Sequence, residues 1–183
     1  MKKAIEIINK GGILLHKTDT IWGLACDAKN IESIKKIYSI KKRDLNKPLI
    51  ILVSNKKMLN KYVKKTPGNI LSLINKINGL ATIIYPNPKN LPEILTHKGS
   101  IAIRITKNKK CQEIINTINK PIISTSANIS GDPFPKNFSE IHSEIKKSVD
   151  YILKEKDINK ETINKPSSLY RINEKLELEY IDR

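Results

Sequence analysis

The side chains best suited to chemistry stand together in one segment, PIISTSANISGDP, at residues 121–133. Four small polar residues follow its apolar start: Ser124, Thr125, Ser126 and Asn128. They supply hydrogen-bond donors and acceptors that backbone pairing does not need, and their small size lets a ligand approach the main chain. Gly131 and Pro133 then end any regular element. The segment predicts either a ligand-binding loop after a strand or a capped turn whose hydroxyls begin the next helix.

Two cations, Lys41 and Arg43, form a second candidate group in KKRDLNKPL. They follow a helix pattern and precede an apolar run, which places them at the rim of a sheet, where open α/β folds bind ligands. In an extended segment, a spacing of two residues points both side chains the same way. A lysine point charge beside a bidentate arginine suits a phosphate or a carboxylate. A solvated run of charge is the other interpretation in so lysine-rich a chain.

Two further segments carry polar groups among apolar ones. Arg104 interrupts the strand pattern SIAIRI, which begins at Ser100, so its guanidinium must lie on an exposed face or meet an anion. In KTDTIWGLACDA, Thr18 stands in a polar turn ahead of Trp22. That turn predicts either part of a small polar pocket or a plain turn with a core tryptophan.

The common nucleotide and nucleophile signatures are absent from the sequence. There is no G-x-x-x-x-G-K-[ST] phosphate loop, no G-x-G-x-x-G after a strand and no G-x-S-x-G elbow. The three histidines, His16, His97 and His142, stand in unrelated contexts, which argues against a Ser-His-Asp triad or a histidine metal site. No pair of carboxylates indicates a metal site either.

Strand and helix patterns alternate along the chain and would position these groups. Strands are predicted at residues 13–15, 48–53, 81–85, 100–105 and 149–153, with one more at Ile122. Helices are predicted at 30–40 with Asn30 as its cap, after Pro67, at 109–118 and at 140–145. The expected fold class is therefore α/β, a single domain over residues 1–183 with a twisted mixed β-sheet flanked by helices. The polar segment 154–167 is expected to be an exposed loop.

Composition sets broader limits on function. Lys and Arg number 34 against 18 Asp and Glu, a formal charge of +16 that suits a polyanion such as a nucleotide or RNA. Lysine is abundant throughout, however, and aromatic residues make up only 5%, which disfavours a dedicated single-strand RNA binder. The two cysteines, Cys26 and Cys111, have no paired spacing, and no apolar run long enough for a signal peptide or a membrane span follows Met1. We expect a cytoplasmic protein with no membrane segment.

Taken in order, the segments KTDTIWGL, KKRDLNKPL, SIAIRI, STSANISG and KPSSLYRI resemble the YrdC-like family of threonylcarbamoyl-AMP synthases, in its short single-domain form. The resemblance implies an α/β sheet with a basic central cleft. It also implies an enzyme that condenses L-threonine, bicarbonate and ATP, with magnesium, into threonylcarbamoyl-AMP and pyrophosphate. A downstream tRNA threonylcarbamoyl-transfer complex would then use the product to modify the adenosine beside the anticodon.

The resemblance also implies roles for individual residues. Lys41 and Arg43 would be catalytic and would bind ATP together with Ser100, Ser126, Asn128 and Arg183. The threonine site would comprise Thr18, Arg104, Ser124 and Ser167, with Arg104 on the threonine carboxylate. No side chain would bind a metal. None would act as a covalent nucleophile either, because the threonine amine and then the carbamate oxygen supply the attack, so that cations and positioning carry most of the rate.

Two departures from the family pattern leave alternatives open. Lys17 stands where proline is usual, and Lys42 replaces a common glycine, which requires that the backbone there not need a positive φ. One alternative is a related protein that acts on another substrate. The other is a non-catalytic protein of the same fold that binds double-stranded RNA or tRNA through its positive charge.

Overall fold

The computed structural model describes residues 1–64, 66, 68–77, 79–153, 166–173 and 175–182. Its helices are α1 (Lys2–Asn9), α2 (Ile31–Ile40), α3 (Lys56–Leu59), α4 (Ile70–Lys76), α5 (Lys109–Ile118) and α6 (Ser143–Ser148). Its strands are β1 (Leu14–Lys17), β2 (Trp22–Ala25), β3 (Ile50–Val53), β4 (Ala81–Pro86), β5 (Ser100–Ile105), β6 (Ile122–Ser126), β7 (Tyr151–Leu153), β8 (Ser168–Ile172) and β9 (Leu178–Ile181).

The described strands form one sheet in the order β7-β1-β2-β6-β3-β5-β4-β8-β9. The pairs β1 with β7, β3 with β5 and β4 with β8 are parallel, whereas the other neighbours are antiparallel. The sheet is therefore mixed and is flanked by helices, which confirms the predicted α/β class.

Helix α2 illustrates how the sequence specifies an element that leads to the site. Ile34, Ile37 and Tyr38 recur at helical spacing and are buried against the core. Asn30 caps the helix as predicted, because its Oδ1 accepts a hydrogen bond from the amide of Ser33 at 3.1 Å. At its other end, the helix stops at Ile40, directly before the cations at positions 41 and 43.

Several element predictions need correction. The helix predicted at 140–145 begins at Ser143, because Asn137 Oδ1 accepts from the Glu140 amide and holds a turn there, and His142 Nδ1 accepts from the Glu144 amide. Residues 18–20 form the predicted polar turn between β1 and β2, and Trp22 is buried, but strand β2, which pairs with β1, was not predicted. Helices α1 and α3 were not predicted. Pro67 and the loop residues 154–165 lie outside the described residues.

Among the described helices, none has the length and apolar character needed to cross a bilayer.

Candidate functional site

A cleft of about 520 Å³ opens across the middle of the sheet. Its wall includes eight of the ten site residues predicted from the sequence: Thr18, Arg43, Ser100, Arg104, Ser124, Ser126, Asn128 and Ser167. Lys41 does not line the cleft but lies buried beside it, and Arg183 lies outside the described residues. The structure therefore brings distant segments together at one place, while the role of each residue stays a prediction.

Strand order explains this convergence. Strand β6 lies between β2 and β3, with Ser126 opposite Gly23 and Ser124 opposite Ile50. A Cβ at Gly23 would lie only 3.0 Å from the Thr125 carbonyl oxygen, so glycine permits this close approach beside the cleft. The hydroxyl residues, which the sequence placed in a loop after the strand, form the end of β6 itself, and the sheet sets them between the turn after β1 and strand β3.

Lys41 and Arg43 do not share a face, contrary to the sequence prediction. Lys41 has helical backbone angles and Lys42 is left-handed, with φ of 47°, so the segment is not extended. Lys42 therefore adopts a positive φ, contrary to the expectation that a lysine here would not need one. The reversal turns Lys41 inward, where its side chain is only 1% exposed.

The Lys41 ammonium is bound by the polar loop after β6. Its Nζ donates to the carbonyl oxygens of Ser126 and Asn128 at 2.5 and 2.7 Å, and to Asn128 Oδ1 at 3.2 Å. Burial, reinforced by the nearby Arg43 guanidinium, lowers the pKa of Lys41 to about 7. The ammonium thus contacts the loop that lines the cleft rather than the cleft itself.

Arg43 lines the cleft and is half-buried there. Its Nε donates to the Lys47 carbonyl at 3.1 Å and its Nη2 to the Pro48 carbonyl at 3.0 Å. These bonds fix the guanidinium plane on its own loop. A guanidinium has five N–H donors, so donors remain for an anion in the cleft.

Arg104 is 4% exposed and pairs with Asp19, whose Oδ1 lies 3.0 Å from Arg104 Nη2. Neither Asp19 Oδ1 nor Arg104 Nε has a well-aligned hydrogen-bond partner in the described part of the chain. Asp19 Oδ2 accepts from Thr106 Oγ1 at 3.1 Å and from the Lys107 amide at 3.0 Å. Asp19 therefore holds a buried cation at the cleft wall while being anchored itself to the end of β5.

The hydroxyl groups around the cleft fall into two classes. Thr18 Oγ1 donates to the Ile21 carbonyl at 2.8 Å and accepts from the amides of Thr20 and Ile21, so it organises its own turn. By contrast, the hydroxyls of Ser124 and Ser126 form no hydrogen bond with other described residues. The hydroxyls of Ser124 and Ser126 are therefore available to a ligand.

The far wall of the cleft is held by two further contacts. Ser167 Oγ and Thr82 Oγ1 are buried and lie 2.7 Å apart, which links the start of β8 to β4. Ser100 Oγ donates to the His97 carbonyl at 2.7 Å and stabilises the turn before β5.

Several polar or charged residues at or behind the cleft were not predicted as site residues, among them Asp19, Thr82, His97, Asp132 and Arg171. The sequence marks Asp19 only as part of a polar turn, and its partner Arg104 is 85 positions away. Arg171 is an exposed cation on β8. No periodic pattern distinguishes it from the many other cations of this chain.

No group of three or more histidine, cysteine, aspartate or glutamate side chains suited to a metal occurs among the described residues. The polar lining of the cleft is instead mainly hydroxyls, the Asn128 amide and guanidinium groups, which bind anions, and it includes the single carboxylate of Asp132. These residues do not fit a resident divalent ion held by side chains. Chemically, the arrangement can hold a negatively charged ligand and position it, but it offers no activated nucleophile.

A protein family and several individual proteins are similar to this chain over most of its length. The Sua5/YciO/YrdC family, described as telomere recombination, matches residues 6–177. A Methanocaldococcus jannaschii protein is 34% identical over 177 residues, covering 94% of this chain and 82% of that one. The threonylcarbamoyl-AMP synthase of Wigglesworthia glossinidia brevipalpis is 34% identical over 145 residues, covering 77% of this chain and 75% of that one.

A solved structure of a double variant of P. abyssi Sua5 superimposes with a TM-score of 0.83 at 25% identity. The match covers 94% of this chain and 53% of the P. abyssi chain. This chain therefore spans about half the length of that protein.

Proposed function

The chain belongs to the Sua5/YciO/YrdC family, and from this we propose that it is an L-threonylcarbamoyladenylate synthase, a nucleotidyltransferase. It would condense L-threonine, bicarbonate and ATP into threonylcarbamoyl-AMP and pyrophosphate. Support comes from the relative at 34% identity that is named threonylcarbamoyl-AMP synthase.

The observation that carries the proposal is the meeting of Arg43 and Arg104 with unpaired hydroxyls in one cleft. The proposed reaction joins two anions, a carbamate and the ATP α-phosphate. Cations that offset their repulsion and stabilise the charge on the leaving pyrophosphate would supply most of the catalysis. The lack of an activated nucleophile in the cleft agrees with this chemistry, because the substrates themselves provide the attacking atoms.

In the first step of the proposed reaction, the threonine amine attacks bicarbonate and water is lost, giving a carbamate. A carbamate oxygen then attacks the α-phosphorus, and the bond to pyrophosphate breaks. Arg104 would bind the threonine carboxylate, close to Thr18, Ser124 and Ser167. Arg43 would bind ATP phosphates, together with Ser100, Ser126, Asn128 and Arg183. Positioning of the two substrates is the main task of the protein.

Magnesium, bicarbonate and the later partners also belong to this proposal. Since the described side chains form no divalent-metal site, magnesium would arrive as part of the MgATP substrate, bound through phosphate oxygens. The product would pass to a tRNA threonylcarbamoyl-transfer complex.

The test is pyrophosphate release by the purified protein with MgATP and ¹³C-bicarbonate, with and without L-threonine. We expect threonine-dependent release and a product whose mass contains the label. Arg43→Ala should abolish this release, whereas Lys29→Ala, an exposed lysine away from the cleft, should leave it unchanged. A folded wild-type protein that releases no pyrophosphate, or that prefers another amino acid, would contradict the proposal.

A further inference from the structure

The C-terminal end of α2 places Lys41 in an unusual position for a lysine. The Arg43 amide donates to the Tyr38 carbonyl and the Lys42 amide to the Ser39 carbonyl, which together form a Schellman motif. The Lys41 carbonyl in turn accepts from the Ser130 amide at 2.8 Å. Main chain and side chain of this one residue therefore both bind the loop at 126–132.

All three ammonium protons of Lys41 have acceptors in that loop. A lysine ammonium has three donors, and Nζ lies within hydrogen-bond distance of three oxygens from Ser126 and Asn128. A direct contact with a phosphate would break at least one of these buried bonds. Lys41 forms no ion pair within the described part of the chain. Its buried charge is balanced by carbonyl dipoles alone.

Asn128 completes the arrangement from the other side. Its Oδ1 accepts from Lys41, and its Nδ2 donates to the Asp132 carbonyl at 2.6 Å. Both ends of the amide are therefore used inside the loop. The backbone amides of Asn128, Ile129 and Gly131, by contrast, donate to no acceptor among the described residues. The Asn128 side chain thus stabilises the loop, while three backbone N–H groups of the loop remain free to bind a ligand.

We infer that Lys41 is a positioning residue, which with Asn128 latches the 126–132 loop so that Ser126 and the unused amides can bind an anionic ligand. Lys41 then acts on the nucleotide through the loop and not by contact. The nucleotide half of this inference rests on the proposed function, whereas the latch itself concerns the protein without ligand. In its protonated form Lys41 also adds positive potential behind the loop, which favours an anion in the cleft.

The latch is tested without ligand by hydrogen-deuterium exchange of the segment 124–134, read by mass spectrometry. In Lys41→Met, which keeps side-chain length and removes the donors, we expect exchange of the Ser130 amide to rise at least tenfold. Asn128→Ala should raise it similarly. Lys47→Met removes an exposed lysine from the neighbouring loop and should change nothing. Unchanged exchange in folded Lys41→Met would overturn the latch.

The role in nucleotide binding is tested by a double-mutant cycle with ATP as the probe, measured calorimetrically. If Lys41 and Asn128 act as one unit, each single variant weakens ATP binding and the double variant is no weaker than the worse single. If Lys41 contacts phosphate independently, the two factors multiply, and the inference is wrong. A wild-type protein that does not bind ATP would contradict the proposed function, while the exchange experiment would still decide the latch.

Should Lys41→Met fail to fold, the latch is tested instead by NMR of ¹⁵N-lysine-labelled wild-type protein at a pH well below the Lys41 pKa of about 7, where the side chain is protonated. A latched ammonium has slowly exchanging protons, and its signal persists with little shift when ATP is added. A large shift of that signal with ATP, or its absence from the free protein, would overturn the inference.

Discussion

At the scale of single residues, the most consequential contact is the buried pair of Arg104 and Asp19. A buried cation at a cleft wall is costly unless a partner orients it, and breaking such a pair by removing one member typically costs about 3–5 kcal/mol. Asp19 itself is held by Thr106 and the Lys107 amide. The orientation of Arg104 therefore depends on a residue from the turn after β1, which is distant in sequence.

We expect Asp19→Asn to weaken use of threonine selectively. The amide keeps an oxygen for Thr106 but loses the charge that faces Arg104, so the guanidinium is no longer held toward a carboxylate. The KM for threonine should rise about tenfold or more, a loss of roughly 1.4 kcal/mol, while the Kd for ATP stays within twofold. Steady-state pyrophosphate release and calorimetry measure the two quantities.

Asp44→Asn provides the matched control, because this exposed side chain keeps its acceptor for the Asn46 amide. It should leave both quantities unchanged. Equal weakening of threonine and ATP binding in Asp19→Asn would instead indicate general damage to the cleft and would contradict a specific role on Arg104.

The sequence predicted which residue types meet at the cleft but not how they are paired. Hydroxyls after a strand and an arginine within a strand are local signals, so Ser124, Ser126 and Arg104 could be found. The partner of Arg104 depends on strand order, which brings the turn after β1 next to β5. The inward direction of Lys41 depends on one left-handed residue, and a lysine at position 42 gives no local signal for that conformation.

At the scale of elements, the end of α2 carries a measurable strain. Lys42 has φ of 47°, a conformation that costs an L-residue with a Cβ more than it costs glycine. Its side chain forms an exposed ion pair with Glu144, with Nζ and Oε2 3.2 Å apart. Such a pair contributes only about 0.2–1 kcal/mol, so it offsets the strain only in part.

We expect Lys42→Gly to be more stable to unfolding than Lys42→Ala by about 1 kcal/mol. Both variants lose the ion pair, but only glycine relieves the left-handed conformation. Urea unfolding at neutral pH measures the difference as a shift in midpoint at constant slope. The comparison isolates the backbone effect because the two variants differ by a single methyl group.

Two outcomes would count against this account of the cap. Equal stability of the two variants would mean that the left-handed conformation is not strained. A change in slope would mean that the denatured state has changed as well. As a reference, Glu113→Gly and Glu113→Ala at an exposed position in the middle of α5 should rank in the opposite order, since helix interiors favour alanine.

Elements with strong local signals were predicted well, and others were not. Helix α5 spans Lys109–Ile118 as predicted, because Asn108 caps it by accepting from the Cys111 amide and its apolar residues repeat at helical spacing. Strand β5 also has the predicted bounds. Strand β2 was not predicted, because its four residues are all buried and show no alternation. Such a strand is recognised only by its neighbours in the sheet.

At the scale of the whole molecule, the core contains a histidine that burial keeps neutral. His16 in β1 is 1% exposed, and its Nε2 has no hydrogen-bond partner in the described part of the chain. Burial lowers the pKa of His16 from 6.5 to about 4, with Asp19 acting weakly in the opposite direction. The unfolded chain therefore binds a proton between these two pH values that the folded chain does not bind.

Stability should consequently fall as the pH drops from 6.5 toward 4, because proton uptake by the unfolded chain favours unfolding. Between pH 7 and pH 5, His16 alone should remove about 2 kcal/mol from the free energy of unfolding, measured by urea titration at both pH values. His16→Gln should flatten that part of the profile, and His97→Gln, at an exposed position, should not. NMR titration of the three histidine rings tests directly whether the pKa of His16 is lowered in the folded protein. A His16 signal that titrates near pH 6.5 would contradict this explanation, because a histidine with the same pKa in the folded and unfolded states cannot make stability depend on pH.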